Sequence, residues 1–262
     1  MLVIGEKING MYKEVGKAIR GKDKGTIQKL AKDQVEAGAD YLDVNTGPSS
    51  ANPLEAMEWL VNTIQEVSAA PLCLDTTKPE VMEAGLRKCK GKAMINSTTG
   101  QQDKLDAFLP LAVKYNASII GLAMDEKGIP RDATGRAEIA LRIVAAAMEK
   151  GINLEDLYID PLILPVNVAQ TTAGHVLESL KQFKLLSDPP PKTVLGLSNV
   201  SQGTKTRELI NRTYLAMAQA CDLDAAIIDP LDDDLMDAMI TADLLLNKNI
   251  YCDAFLKAYR KK

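Results

Sequence analysis

Eight short apolar runs recur along the chain: LVIGEKI at 2–8, YLDVNTG at 41–47, PLCLDTT at 71–77, AMINSTT at 93–99, SIIGLAM at 118–124, LYIDPLI at 157–163, TVLGLSNV at 193–200 and AAIIDPL at 225–231. Aliphatic and β-branched residues dominate them without strict alternation, as expected of parallel strands covered on both faces. Between the runs the apolar spacing changes to three and four. Leu54, Met57, Leu60, Val61 and Ile64 show it, as do Ile139, Ile143 and Ala147, and Leu235, Met239, Ala242 and Leu246. That spacing predicts helices. A strand and a helix repeating roughly every 30 residues, eight times over, predict an α/β fold of the (β/α)8 TIM-barrel type. The competing architecture, an open doubly wound sheet, favours a GxGxxG turn after its first strand. Here that turn reads GEKINGM.

No Pro-, Gly- or Ser-rich linker divides the 262 residues, so 1–262 read as a single domain. A hydrophobic content of 46% fills a sizeable core, and only 4% aromatic residues suits close helix-on-strand packing. The net charge of -4 argues against a nucleic-acid surface, because Lys257, Arg260, Lys261 and Lys262 form only a short basic run. The apolar runs are too short to span a bilayer, so no membrane contact is expected. No charged leader precedes the first of them, and a cytoplasmic location is expected. Cys73, Cys89, Cys221 and Cys252 show no CxxC spacing and read as reduced core residues. His175 is the single histidine, which leaves no material for a multi-His metal site or a His-based triad.

A barrel places its chemistry where strands end. The polar residues there are Glu6, Asn9, Asp43, Asn45, Asp75, Asn96, Asp160, Ser198, Asn199 and Asp229, all expected to face one mouth. A strand-end Asp, Asp229 included, reads equally well as the N-cap of the next helix. Capping explains two of them poorly. Asp75 precedes Thr76 and Thr77, and Thr77 is the better cap; Asp160 precedes Pro161 within IDPLILP, where no helix begins. Such groups are costly to bury without partners. A set of carboxylates and amides lacks a nucleophile–base pair but suits a flat heterocycle rich in N–H donors. The rival is a divalent cation held by carboxylates. The amides fit that poorly, so no metal is expected, and Asp222 with Asp224, or Asp232 to Asp234, read as solvated. The stretch 193–207, TVLGLSNVSQGTKTR, reads as an active-site lip, although Ser, Asn, Gly and Thr are also ordinary turn formers.

GEKING at the start, LCLDTT with Asp75, AMINST with Asn96, LYIDPLILP with Asp160 and GLSNVSQ with Asn199 together resemble the pterin-binding barrel methyltransferases. The closer resemblance is to the methyltetrahydrofolate:corrinoid/iron-sulfur protein methyltransferases, and it runs from Met1 to near the C-terminus. It implies that Asp75, Asn96 and Asp160 hydrogen-bond the pterin, that Gly196, Ser198, Gln202 and Arg207 line the folate site, and that Asn199 lies near N5. Arg207 also suits a carboxylate, or stacking on the aminobenzoate, on its own chemistry. The implied reaction moves the methyl of 5-methyltetrahydrofolate, the cosubstrate, to Co(I) of a corrinoid iron-sulfur protein in the reductive acetyl-CoA pathway. The cobalamin is expected on the partner, because the chain has no DxHxxG loop and His175 lies in QTTAGHVLE. A homodimer is expected from the family.

Methyl on a tertiary amine leaves poorly, so N5 must gain a proton or strong hydrogen bond by the transition state. An Asn does not titrate near neutral pH, so the role implied for Asn199 is transition-state stabilisation. Two alternatives stand beside this reading. A dihydropteroate synthase-like enzyme needs basic residues for diphosphate near its last strands, where this chain reads AAIIDPLDDD. A non-catalytic pterin-binding scaffold would dock the corrinoid carrier without turnover. An aldolase-like barrel would need a Schiff-base Lys within a strand, and only Lys7, at a margin, is near one.

Overall fold

The computed structural model describes residues 1–48, 50 and 52–260; Lys261 and Lys262 of the basic run lie outside the described residues. The strands are β1 (Leu2–Asn9), β2 (Tyr41–Asn45), β3 (Leu72–Asp75), β4 (Met94–Thr99), β5 (Ser118–Leu122), β6 (Leu157–Asp160), β7 (Lys192–Gly196) and β8 (Ala225–Ile228). All pair in parallel in sequence order, and β8 closes on β1, so the expected (β/α)8 barrel is the observed fold. Several strands stop before their apolar run does. Pro161 and Pro230 cannot donate to a ladder, and β6 and β8 end just before them.

The helices are α1 (Lys13–Gly21), α2 (Lys24–Glu36), α3 (Pro53–Gln65), α4 (Pro79–Leu86), α5 (Gln102–Tyr115), α6 (Ala133–Glu149), α7 (Val166–Ala169), α8 (Thr172–Phe183), α9 (Arg207–Gln219), α10 (Asp233–Leu245) and α11 (Phe255–Tyr259). Side-chain caps start several of them. Asn52 accepts from the Glu55 N–H, Asp132 from Gly135 and Asp232 from Leu235, each satisfying a first-turn donor. Asp232, not Asp229, therefore caps α10. Thr77 does not cap α4: Lys78 holds that position, and the Thr76 hydroxyl accepts the Lys78 N–H.

Strand alternation sorts the core into two parts. Outward residues such as Val3, Leu42, Leu74, Ile95, Ile159 and Leu195 pack beneath the helices. Inward residues Ile4, Cys73, Met94, Ile120, Tyr158, Val194 and Ala225 form a separate plug inside the barrel. Two residues further along, on the same inward side, stand Glu6, Asp75, Asn96, Asp160 and Gly196. The same periodicity that builds the dry plug thus lays a polar floor on it. Cys73 and Cys221 are buried and free, but Cys252 is exposed and is no core residue. Among the described residues, no helix is long and apolar enough to cross a membrane.

Candidate active site

Parallel register sets Asn45 beside Asp75, and Asp75 beside Asn96. The Asn45 amide donates to Asp75 Oδ2 at 2.6 Å, while its own oxygen accepts the Gly47 N–H at 2.7 Å. Asn45 is therefore spent on holding Asp75, whose other oxygen carries no protein hydrogen bond among the described residues. Asn96 Nδ2 donates to Asp43 Oδ1 at 3.1 Å. Burial pushes the Asp75 carboxyl up, against the Asn45 bond. Asp43 is pushed well above the usual carboxylate range, first by burial and then by the charge of Asp75. Two adjacent carboxyls in one dry site do not both ionise readily, and the deeper Asp43 is pushed further toward its neutral form than Asp75.

Asp160 stands across the mouth at the end of β6. Its Oδ1 accepts the Leu162 N–H at 2.7 Å and its Oδ2 the Gly196 N–H at 3.2 Å. Burial nevertheless prevails over both donors and raises its carboxyl to about 6. Each oxygen keeps a lone pair for a ligand N–H.

Beyond Gly196 the chain winds into a 3-10 turn, Leu197–Ser201. A Cβ at Gly196 would lie 3.0 Å from Asn199 Nδ2 and 4.0 Å from Asp160 Oδ2. Glycine here lets the Asn199 amide and the Asp160 carboxylate flank one backbone atom. Asn199 itself is exposed at the mouth. The turn is braced from within: Ser201 Oγ donates to Ser198 O, and Arg207 donates through Nε to Ser201 Oγ and through Nη2 to Ser198 O, both at 3.1 Å. Ser198 Oγ donates to Glu6 Oε1 at 2.7 Å.

The structure thus brings Asp75, Asn96, Asp160, Gly196 and Asn199 to one mouth. Ser198 and Arg207 are engaged in the loop's own framework, and Gln202 is exposed at the outer rim, its backbone N–H bonded to Asn199 O. Of the remaining strand-end residues, Asn9 accepts the Met11 N–H in its own turn, and Asp229 accepts Lys7 Nζ at 2.8 Å. A cavity of about 240 Å³ opens beside Asn45, Asp75 and Thr76 at this end. A larger one, about 710 Å³, lies at the opposite end of the barrel, where Tyr41 and Leu72 begin their strands, away from the polar floor. Of the acidic surface residues, Asp224 pairs with Lys184, while Asp233 and Asp234 stay largely exposed as they meet Arg260 and Arg212.

Sequence reasoning passed over Arg136. It is fully buried, its Nη1 donates to Arg131 O, and its Nε and Nη2 have no hydrogen-bond partner among the described residues. Its charge favours the ionised form of Asp160, though less than burial opposes it. The signal was present, because Arg136 falls on the same helical face as Ile139, Ile143 and Ala147.

A barrel with a donor-accepting floor at its C-terminal mouth offers the acceptors that a flat, N–H-rich heterocycle requires. The model of the pterin binding enzyme family matches residues 14–229, and the chain belongs to that family. It is 30% identical over 263 residues to the methylcorrinoid:tetrahydrofolate methyltransferase of Eubacterium limosum, covering 100% of this chain and 97% of that protein. The motif resemblance to pterin-binding methyltransferases is thereby borne out. Methionine synthase of Mycobacterium leprae is 28% identical over 241 residues, 87% of this chain but only 20% of that longer protein. Dihydropteroate synthase of Coxiella burnetii, solved with pteroic acid, superposes with a TM-score of 0.67 at 16% identity, covering 93% of this chain and 94% of that one. That likeness is one of fold.

Proposed function

We propose that the protein transfers a methyl group between N5 of tetrahydrofolate and the cobalt of a corrinoid carried by a partner protein. The observation that carries this is the pairing of a donor-accepting floor with the Asn199 amide, set across Gly196 from Asp160. The free oxygen of Asp75, the remaining lone pairs of Asp160 and the Asn96 amide oxygen suit the N–H groups of an amino-pyrimidinone, which anchors the pterin flat in the mouth. Asn199 then acts at N5.

In the folate-to-corrinoid direction the Co(I) electron pair forms the bond to the methyl carbon. The C–N pair stays on N5, which takes a proton. Asn199 stabilises that nitrogen as its charge changes, and it does the same in reverse, because forward and reverse transfer share one transition state. The Eubacterium limosum relative is named for the reverse sense, from methylcorrinoid to tetrahydrofolate. We retain the folate-to-Co(I) sense, in the reductive acetyl-CoA pathway, on the motif resemblance. The corrinoid iron-sulfur partner, the homodimer and the cytoplasmic setting rest on the same resemblance. A dihydropteroate synthase-like reaction is disfavoured, because the end of β8 offers a diphosphate Asp229, already paired with Lys7, and the acidic start of α10.

The test is to mix the protein with methyltetrahydrofolate and a reduced corrinoid and follow Co(I) absorbance. Loss of Co(I) with formation of methylcobalt supports the reading. Folate binding without transfer supports the scaffold, and absence of folate binding overturns both.

A further inference from the structure

Asp43 lies one inward step below Asn45, beside Cys73 in the register, and is 3% exposed. It is too deep for a ligand resting on the floor. The polar groups that act on it are Cys73 and Asp75 from β3, Asn96 from β4 and, through its charge, Glu6 from β1. None is a cation. Its Oδ1 accepts the Asn96 amide N–H, and the Cys73 thiol also hydrogen-bonds it.

An Asn side chain has one donor end and one acceptor end, and the two differ little in shape. Left alone on the floor, Asn96 could present either end. With the amide nitrogen held downward, the oxygen points up. The ligand chemistry argued above needs an acceptor there, because an upturned NH2 would meet a pterin N–H donor to donor.

We propose that Asp43 is a positioning residue for the pterin site: by accepting the Asn96 amide N–H from beneath, it holds the Asn96 oxygen toward the mouth as an acceptor for a pterin N–H. The proposal rests on reading the mouth as a pterin site. Burial and the neighbouring Asp75 push Asp43 toward its neutral form, and a neutral amide at position 43 matches its shape and keeps an acceptor oxygen.

Tetrahydrofolate binding by calorimetry tests it, using the wild type, Asp43→Asn, Asp43→Ala, Asn96→Ala and the Asp43→Ala/Asn96→Ala double variant. Circular dichroism confirms that each is folded. Asp43→Ala is expected to weaken binding by about tenfold or more, the loss of one oriented hydrogen bond. Asp43→Asn keeps an acceptor carbonyl and is expected to bind within about threefold of wild type. On the Asn96→Ala background, Asp43→Ala should add less than about twofold, because its effect passes through Asn96. Equal binding by Asp43→Ala and wild type overturns the proposal. So does a loss that persists undiminished without Asn96. If Asp43→Ala does not fold, Asp43→Asn decides, and a folded Asp43→Asn that loses tenfold overturns it. A wild type that fails to bind tetrahydrofolate sinks the pterin reading instead, a result distinct from all of these.

Discussion

Asp160 gives the account a quantitative handle, because its carboxyl is raised from 3.8 to about 6 while it is asked to accept ligand N–H donors. Only the ionised form accepts on both oxygens. At pH 7.5 nearly every molecule carries that form, whereas at pH 5 roughly a tenth do. Tetrahydrofolate affinity should therefore fall about tenfold between these values, equivalent to about 1.4 kcal/mol. An ordinary carboxylate would stay ionised across the range and show almost no change. The assay is calorimetric titration at both pH values on wild type and on Asp160→Asn. Titrations of the ligand, of Asp75 and of Glu6 are common to both proteins and cancel in the ratio of their affinities. The advantage of wild type over Asp160→Asn should be largest at pH 7.5 and shrink about tenfold at pH 5. A ratio that does not change with pH would refute the argument.

The same shift predicts stability. The folded value lies above the unfolded one, so the contribution of Asp160 is fully present below 3.8 and is lost as pH rises through about 6. In urea unfolding, Asp160→Asn should gain on wild type by about 1.4 kcal/mol between pH 5 and 7.5, whatever its offset at either pH. Gly196→Ala puts a methyl 3.0 Å from Asn199 Nδ2 on a backbone with φ of -73, which any residue adopts. Single-turnover transfer should slow by about tenfold or more while the melting temperature hardly moves. Arg207→Ala removes the braces on Ser198 and Ser201, and should cost about 1 kcal/mol in unfolding and loosen the turn to limited proteolysis. Arg207→Lys should not restore it, because one ammonium cannot reproduce the two divergent guanidinium bonds.

The barrel was legible because strands covered on both faces leave uninterrupted apolar runs, and these cannot be mistaken for the three-and-four spacing of the intervening segments. Asp75 and Asp160 were legible for the same reason, as charged residues closing runs that are otherwise apolar or aromatic, and Asn96 as the first polar residue after the apolar start of β4. Strand ends were less so, since apolar residues continue past Pro161 into the loop, where Leu162 adopts a φ of 65. Long-range partners were not legible at all. Ser198 meets Glu6 across 192 positions, and nothing in GLSNVSQ announces that its hydroxyl is spent on β1 and the Arg207 guanidinium on the loop itself. The division of labour between Asp43 and Asp75 likewise depends on register. One inward step separates a buried acid beneath the floor from an acceptor on it.

The central claim is that this mouth moves a methyl group, with Asn199 acting where the bond breaks. Single-turnover transfer from methyltetrahydrofolate to a Co(I) corrinoid, followed by the loss of Co(I) absorbance in wild type and Asn199→Ala alongside their folate dissociation constants, tests it most directly. The account predicts rapid transfer by wild type, a rate lower by about 100-fold in the variant, and binding within about fivefold. An Asn199→Ala rate equal to wild type, or a wild type that binds folate and leaves Co(I) untouched, would contradict it.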